Sequence, residues 1–127
     1  FNYRMPNLNA ALGCAQLEKL DAFLDQKKKV HDIWKDFFNK NDIEYVTPIK
    51  NAKANFWLNT IIFSSEEEKD FFIKTTNNQG VMTRPVWTLM NKLPMHKNYQ
   101  TDNLKNSKWL EKRVVNISSS VPLNFII

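Results

Sequence analysis

Apolar residues recur at every third or fourth position near the start of the chain, and this spacing predicts one long amphipathic helix over residues 7–39. The repeating positions are Leu8, Leu12, Ala15, Leu20, Leu24, Val30, Ile33, Trp34 and Phe37. Pro6 and Asn7 are typical of a helix start, and Asn7 is the expected cap. Gly13 costs roughly 1 kcal/mol relative to alanine inside a helix, so we expect a close packing contact there. The remaining elements must be arranged on this helix.

Four later segments predict short strands. The strongest is residues 56–63 (FWLNTIIF), which is rich in aromatic and β-branched side chains. The other three are residues 43–46, 81–83 and 114–117. We expect Pro85 to interrupt the ladder after residue 83 and to hold Arg84 in an extended conformation.

Further helices are expected between these strands. A capping box, either Ser65 with Glu68 or the pair one residue earlier, opens a helix that continues to about residue 76. Phe71 and its neighbours should face inward, and Gly80 is the natural left-handed residue that ends this segment. The last helical segments are a short turn near residues 88–91 and a helix over residues 104–112.

Together these elements predict the α+β class, an α/β layer in which the long N-terminal helix packs with further helices on a small sheet. A length of 127 residues suits one domain, so residues 1–127 are interpreted as a single unit. Apolar residues make up 43% of the chain and aromatics 13%, which is enough for a packed core. Residues 121–127 are interpreted as a divergent tail.

The cysteine content and the distribution of apolar residues exclude disulfide-rich and membrane-spanning classes of protein. The single cysteine, Cys14, excludes a disulfide framework and a cysteine-only zinc site, suits a reducing compartment, and is expected to pack inertly on the first helix. No run of 18 apolar residues is present, and the first residues do not have the pattern of a signal peptide. We therefore expect a soluble, cytoplasmic chain without membrane partners. The absence of an initiator methionine suggests that the sequence starts within a longer protein.

A net charge of +5 raises the question of nucleic-acid binding. Fifteen of the eighteen cations are lysines, and the run Lys27–Lys29 lies between aspartates, which is typical of a solvated helical face. RNA-binding surfaces interleave exposed aromatics with arginine, whereas the large aromatics here lie at core periodicity: Trp34, Phe37, Phe56 and Phe71. We do not expect a nucleic-acid partner.

No catalytic centre or metal site is predicted from the residues alone. His31 and His96 are the only histidines, and His31 is expected on the helix surface near Lys35. No set of histidine, cysteine and carboxylate residues has metal-ligand spacing, and two glycines cannot form a glycine-rich phosphate loop.

Two segments suggest binding. Asn2 and Arg4 lead directly into a helix N-terminus, where side-chain and backbone donors would suit a phosphate, and the alternative is a frayed terminus with a cap. Arg84 lies at a strand end before Pro85, with Trp87 close by. These residues would suit a phosphorylated or sugar ligand, and the alternative is an arginine on a solvated rim.

The same segments carry a family resemblance. NYRMPNLNAALGCAQLEKL (residues 2–20) resembles the opening of the C-terminal small domain of DegT and StrS-type sugar aminotransferases, which are fold type I enzymes. TRPVWTLMNKLPMHKN (residues 83–98) and NISSSV (residues 116–121) are similar to the branch acting on nucleotide-linked 4-keto-6-deoxy sugars, with the LegC-like aminotransferases most alike.

The resemblance implies an amino transfer dependent on pyridoxal 5'-phosphate (PLP), from an amino acid such as glutamate to a nucleotide-linked keto sugar for surface-polysaccharide biosynthesis. It implies a homodimer in which Asn2, or alternatively Arg4, meets the cofactor phosphate of the partner subunit. It also places Arg84, Trp87, His96 and Tyr99 on the substrate side. The PLP-binding lysine would lie upstream of residue 1, so no catalytic residue is assigned here and the chain alone is expected to be inactive.

Two other interpretations stay open. The first is a non-catalytic basic module that binds nucleic acid or a protein partner. The second is a free-standing regulatory relative that lacks the catalytic domain.

Overall fold

The computed structural model describes residue 2 and residues 4–122. The predicted tail lies partly outside this range, since residues 123–127 are not described. Four helices and four strands occur in the described residues, joined by loops and two 3₁₀ turns. In chain order they are α1 (Asn7–Leu17), α2 (Leu20–Lys40), β1 (Glu44–Tyr45), β2 (Asn59–Ile62), α3 (Glu66–Asn78), β3 (Arg84–Pro85), the 3₁₀ turns Met90–Lys92 and Pro94–His96, α4 (Lys105–Glu111) and β4 (Val114–Ile117).

The strands form one antiparallel sheet in the order β1-β2-β4-β3. The central pair is β2 with β4, where Ile61 lies opposite Val115 and both side chains are fully buried. β-Branched residues at these facing positions pack well on a pleated surface. The predicted α+β class is confirmed, with helices covering a small sheet.

The core lies between α2 and the sheet. It is centred on Phe38, Tyr45, Ile61, Val115 and Ile117, with Trp34 and Phe72 among the partly buried residues packed against it. Phe38 stacks on Tyr45 with ring centroids 6.1 Å apart. This core holds α2 over the central strands of the sheet.

The first helix departs from the prediction. The expected helix over residues 7–39 is interrupted at Glu18 and Lys19, where the Lys19 N–H bonds the carbonyl of Gln16 in a tighter turn. Pro6, rather than Asn7, occupies the cap position, and no side chain caps the helix. No residue of α1 is buried. A methyl group at Gly13 would have no neighbour within 4 Å among the described residues, so the expected close packing contact is absent there. Cys14 is exposed and does not pack as expected.

The helix α3 begins at the serine cap of one of the two predicted capping boxes, and the Glu68 side chain accepts from the Ser64 hydroxyl. Ser65 is the cap, and its hydroxyl accepts from the N–H of Glu68 at 3.2 Å. Gly80 adopts φ +79° two residues after the helix, as predicted. The prediction that Phe71 faces inward is wrong, because its side chain is 73% exposed, and Phe37 is also exposed.

The third strand is shifted along the chain. Residues 81–83 are not a strand, and β3 consists of Arg84 and Pro85, which pair with Asn116 and Val115. Pro85 does not interrupt the ladder, since an edge strand does not need its missing N–H, and Val86 continues the pairing by donating to Val114 O at 3.4 Å. The predicted strand over residues 56–63 is shorter than expected, and the turn predicted near residues 88–91 becomes two 3₁₀ turns.

Candidate functional site

Arg84 is positioned by hydrogen bonds on the preceding residue. Thr83 is buried, its hydroxyl lies 2.6 Å from that of Thr76, and Asn77 Nδ2 donates to its carbonyl at 3.0 Å. These contacts attach β3 to the C-terminal turn of α3. Arg84 itself is exposed, opposite Asn116 of β4.

A cleft of about 310 Å³ opens beside this arginine. It is lined by Leu58, Arg84, Pro85, Val86, Trp87, Thr88 and Asn116. The two residues predicted to lie together at a substrate, Arg84 and Trp87, therefore share one cleft. A cationic fork beside an indole and a threonine hydroxyl suits an anionic or hydroxylated ligand.

A second cleft of about 260 Å³ also has Arg84 in its lining. It shares Leu58, Arg84 and Asn116 with the first and adds Trp57, Met82, Ile117, Ser118, Ser119 and Ser120. The indoles of Trp57 and Trp87 lie 6.4 Å apart, centroid to centroid, at 37°. Sequence reasoning missed Trp57 and Asn116, because each lies in a strand-forming segment whose exposed face is known only after pairing.

The serine segment after β4 is held by α2. Trp34 Nε1 donates to Ser118 O at 3.0 Å, Asn59 Nδ2 donates to the same carbonyl at 3.2 Å, and Lys27 Nζ donates to the carbonyl of Ser119. The wall of the second cleft is thus fixed by the core helix.

The loop after Trp87 is also anchored. Glu111 of α4 accepts from the N–H of Leu89 at 3.2 Å and from Lys92 Nζ at 2.5 Å. The hydrogen bond from Lys92 lowers the pKa of the Glu111 carboxyl below its ordinary value, so the carboxylate stays ionised at neutral pH.

The other predicted substrate residues lie apart from these clefts. His96 and Tyr99 contact each other, with ring centroids 5.6 Å apart, but neither lines the cleft beside Arg84 or the second cleft. The structure therefore brings together two of the four predicted residues and leaves the other two as a separate pair.

The predicted phosphate residues precede α1. Asn2 and Arg4 are both exposed, and the first turn of α1 has no side-chain cap that would occupy its free N–H groups. Their amide and guanidinium donors are the kind that bind phosphate, so the residues present fit that ligand chemically.

The prediction for His31 is wrong. Its side chain is 6% exposed, with Nδ1 3.0 Å from Tyr45 Oη, and the Tyr45 hydroxyl donates to Asn59 Oδ1 at 2.9 Å. Burial lowers the pKa of His31 below its ordinary value, and the hydrogen bond to Asn59 raises this pKa by a smaller amount. A spacing of three and seven residues to Trp34 and Phe38 places His31 on the buried face, and this signal was available in the sequence.

The described residues contain neither a metal-binding cluster of side chains nor a helix suited to cross a membrane. No group of three or more histidine, cysteine or carboxylate side chains is placed to hold a metal ion within residue 2 and residues 4–122. No helix in this part of the chain is long and apolar enough to cross a membrane.

Comparisons with known proteins agree with this fold. A model of the DegT/DnrJ/EryC1/StrS aminotransferase family matches residues 1–124. GDP-perosamine synthase of Escherichia coli O157:H7 is 32% identical over 96 residues, covering 76% of this chain and 26% of that protein. The corresponding enzyme of Vibrio cholerae is 30% identical over 98 residues, covering 76% of this chain and 27% of its own length. The chain thus spans about a quarter of the curated relatives that it matches.

Solved structures show the same fold at lower identity. Helicobacter pylori PseC, an aminotransferase involved in the biosynthesis of pseudoaminic acid, superposes with a TM-score of 0.85 at 15% identity, covering 99% of this chain and 36% of that one. The Streptococcus pneumoniae protein Spr1654, in its PLP form, gives 0.73 at 17% identity, covering 90% of this chain and 30% of that one. The predicted likeness to sugar aminotransferases is therefore confirmed at the level of family and fold.

Proposed function

Because the chain belongs to the DegT/DnrJ/EryC1/StrS aminotransferase family, we propose that it is the C-terminal small domain of a PLP-dependent sugar aminotransferase. The whole enzyme transfers an amino group from an amino acid, with glutamate as the proposed donor, to a nucleotide-linked 4-keto-6-deoxy sugar, in the LegC-like branch. The match over residues 1–124 is the observation that carries this proposal. The product would serve surface-polysaccharide biosynthesis in the cytoplasm.

In this proposal the chain contributes binding and orientation. Arg84 holds oxygens of the nucleotide sugar, and Trp87 forms the wall of the cleft that orients the sugar and excludes water. His96 and Tyr99, which contact each other, are proposed as outer positions on the same loop. Orientation of the keto group relative to the cofactor is the catalytic contribution expected from such contacts.

The cofactor role falls on the segment before α1. PLP, when bound, supplies the electron sink that amino-group transfer requires. Asn2, or alternatively Arg4, would hold its phosphate across a homodimer interface, which fits their exposure ahead of an uncapped helix turn. An Asn2→Ala variant of the full-length dimer that binds PLP as tightly as wild type would contradict the role of Asn2.

The alternative of a basic nucleic-acid or protein-binding module receives less support. Two of the three lysines of the run contact groups of the same chain, Lys27 with the carbonyl of Ser119 and Lys28 with Asp32 at 2.5 Å. Charges engaged in this way are typical of a solvated helix face rather than of a phosphate-binding stripe.

The test is amino transfer by the full-length protein. Purified enzyme with PLP and glutamate should convert UDP- or GDP-linked 4-keto-6-deoxy sugars to amino sugars, detected by mass spectrometry, while 2-oxoglutarate forms in equal amount. The matched control omits glutamate. If no keto sugar of either kind is aminated while the holoenzyme is correctly folded, the proposed function is wrong.

A further inference from the structure

Arg84 lies in the lining of two neighbouring clefts. The clefts share Leu58, Arg84 and Asn116, and they differ in the residues that each adds: one continues along Trp87 and the other along the serines after β4. A molecule lying across Arg84 would therefore contact two chemically different surfaces. The cleft along Trp87 also has Pro85 and Val86, whereas the other offers hydroxyl and amide groups.

The backbone is strained at the residue before Trp57. The preceding residue, Phe56, has φ +52°, a left-handed conformation that is sterically unfavourable for a bulky side chain. Its ring lies 4.5 Å from that of buried His31, and Asn55 Oδ1 accepts from the N–H of Trp57 at 3.1 Å. The strained turn is thus held in place by the core.

The result is a pair of exposed indoles. Trp57 is 64% exposed and Trp87 is 65% exposed, although they lie beside each other. Packing within the described residues does not account for these two large aromatic side chains, and only Trp57 follows the strained residue. Flat aromatic faces at the edge of a cleft are typical binding surfaces for planar bases and for sugars.

The charged lining of the two clefts is positive. Among the described residues that line them, Arg84 is the only charged side chain and no carboxylate is present. A guanidinium without a competing carboxylate is suited to bidentate hydrogen bonds with phosphate oxygens. The anionic part of a ligand is therefore expected at the ridge between the clefts.

We propose that the second cleft is the nucleoside subsite, with the base on the Trp57 indole, the ribose beside Ser118–Ser120, and the diphosphate at Arg84. This assignment rests on the proposed function, which supplies a nucleotide-linked sugar as the ligand. The sugar then lies in the cleft along Trp87, where Pro85 and Val86 face the methyl group of a 6-deoxy sugar. Trp57 is a specificity-determining residue for the nucleotide, not a catalytic one.

Titration calorimetry of the full-length holoenzyme with GDP and with UDP tests the subsite without the sugar. Trp57→Ala should weaken binding of the nucleotide that the wild type prefers by about 5- to 100-fold, the range of one base–aromatic stacking contact. Trp57→Phe keeps an aromatic face and should restore most of the affinity. Trp109→Ala is the matched control, because this half-exposed tryptophan of α4 packs on Arg113 and lines neither cleft.

The outcomes separate this inference from the function on which it rests. If Trp57→Ala is folded, aminates the keto sugar with an unchanged KM, and binds GDP and UDP as wild type does, the subsite is wrong and the function stands. Failure of an active wild type to bind either nucleotide also overturns the subsite. If nucleotides bind and the Trp57 effect is seen but no keto sugar is aminated, the proposed function fails while the subsite stands.

Discussion

At the scale of single residues, the proposed site depends on buried side chains that hold the exposed ones in place. Thr83 is tied to the end of α3, so Arg84 leaves the sheet at a fixed point. The buried pair of His31 and Tyr45 supports the turn that carries Trp57. Such supporting contacts limit the rotamers of the exposed groups and so reduce the entropy lost on binding.

Replacement of Arg84 should weaken substrate binding. In the full-length enzyme, Arg84→Ala is expected to raise KM for the nucleotide sugar by about 10- to 100-fold, because a hydrogen bond to a charged group contributes roughly 1.5–3 kcal/mol. Arg84→Lys keeps the charge without the planar fork and should give an intermediate KM. Steady-state kinetics measure both variants. Unchanged KM and kcat in Arg84→Ala would contradict a ligand role for this residue.

Stability should depend on pH through His31. Its pKa is lowered in the folded protein from the ordinary value of 6.5, so the neutral form is favoured on folding. Above about pH 6.5 this residue contributes no pH dependence; below it, the unfolded state takes up the proton first, and the free energy of unfolding falls until the folded pKa is reached.

Urea unfolding of the full-length protein at about pH 5 and about pH 8 measures this effect. His31→Asn retains a polar group near Tyr45 without a titrating ring, so the loss of stability at acid pH should be smaller in the variant than in wild type. An equal loss in the two proteins would show that burial of His31 does not contribute to the pH dependence.

At the scale of elements, the helices and strands are stabilised where local chemistry and packing agree. α3 combines a serine cap with three glutamates in its first turn, an arrangement that complements the helix dipole. By contrast, α1 has neither a side-chain cap nor a buried residue. Its apolar residues therefore cannot be explained by packing within the described residues.

The capping box of α3 gives a test at this scale. Ser65→Ala removes the oxygen that accepts from the Glu68 N–H and should lower the free energy of unfolding by about 1 kcal/mol. Ser64→Ala is the matched control, because the Ser64 hydroxyl donates to the side chain of Glu68 on the surface and not to the helix backbone, and its loss should cost less. Denaturant unfolding compares the two, and equal effects would contradict a specific cap at Ser65.

At the scale of the whole molecule, the chain supplies part of a site. It spans about a quarter of its curated relatives, and its two clefts are open to the surface. The proposed enzyme completes them with segments outside this chain and with a second subunit. If the catalytic lysine lies in another part of the enzyme, the lysines of this chain should not react with PLP.

None of the fifteen lysines of this chain should form the covalent bond to PLP. After incubation with PLP and borohydride reduction, peptide mapping of the full-length enzyme should place the stoichiometric label on a lysine outside residues 1–127. The chain alone, treated in the same way, should carry no stoichiometric label and show no amino transfer. Stoichiometric labelling of one lysine within this sequence would contradict the assignment of the catalytic lysine to another part of the enzyme.

Local signals in the sequence were sufficient for several features, because their physics involves only neighbouring residues. A serine cap at residue 64 or 65, the left-handed Gly80, the helix α4 and the strand β4 all follow from a few adjacent side chains, and the structure selects Ser65 as the cap. The family was also evident from contiguous motifs, as was the pairing of Arg84 with Trp87, which lie three positions apart.

Only the tertiary structure decided features that depend on distant partners. Whether Pro85 could pair was determined by its place at the edge of the sheet, and His31 was buried because Tyr45 and Asn59 satisfy it there. The second cleft joins Trp57 to the serines after β4, some sixty positions away, through strand pairing. Periodicity shows which face of an element is apolar, but the neighbour that covers that face, or leaves it to a ligand, is set by how the elements pack.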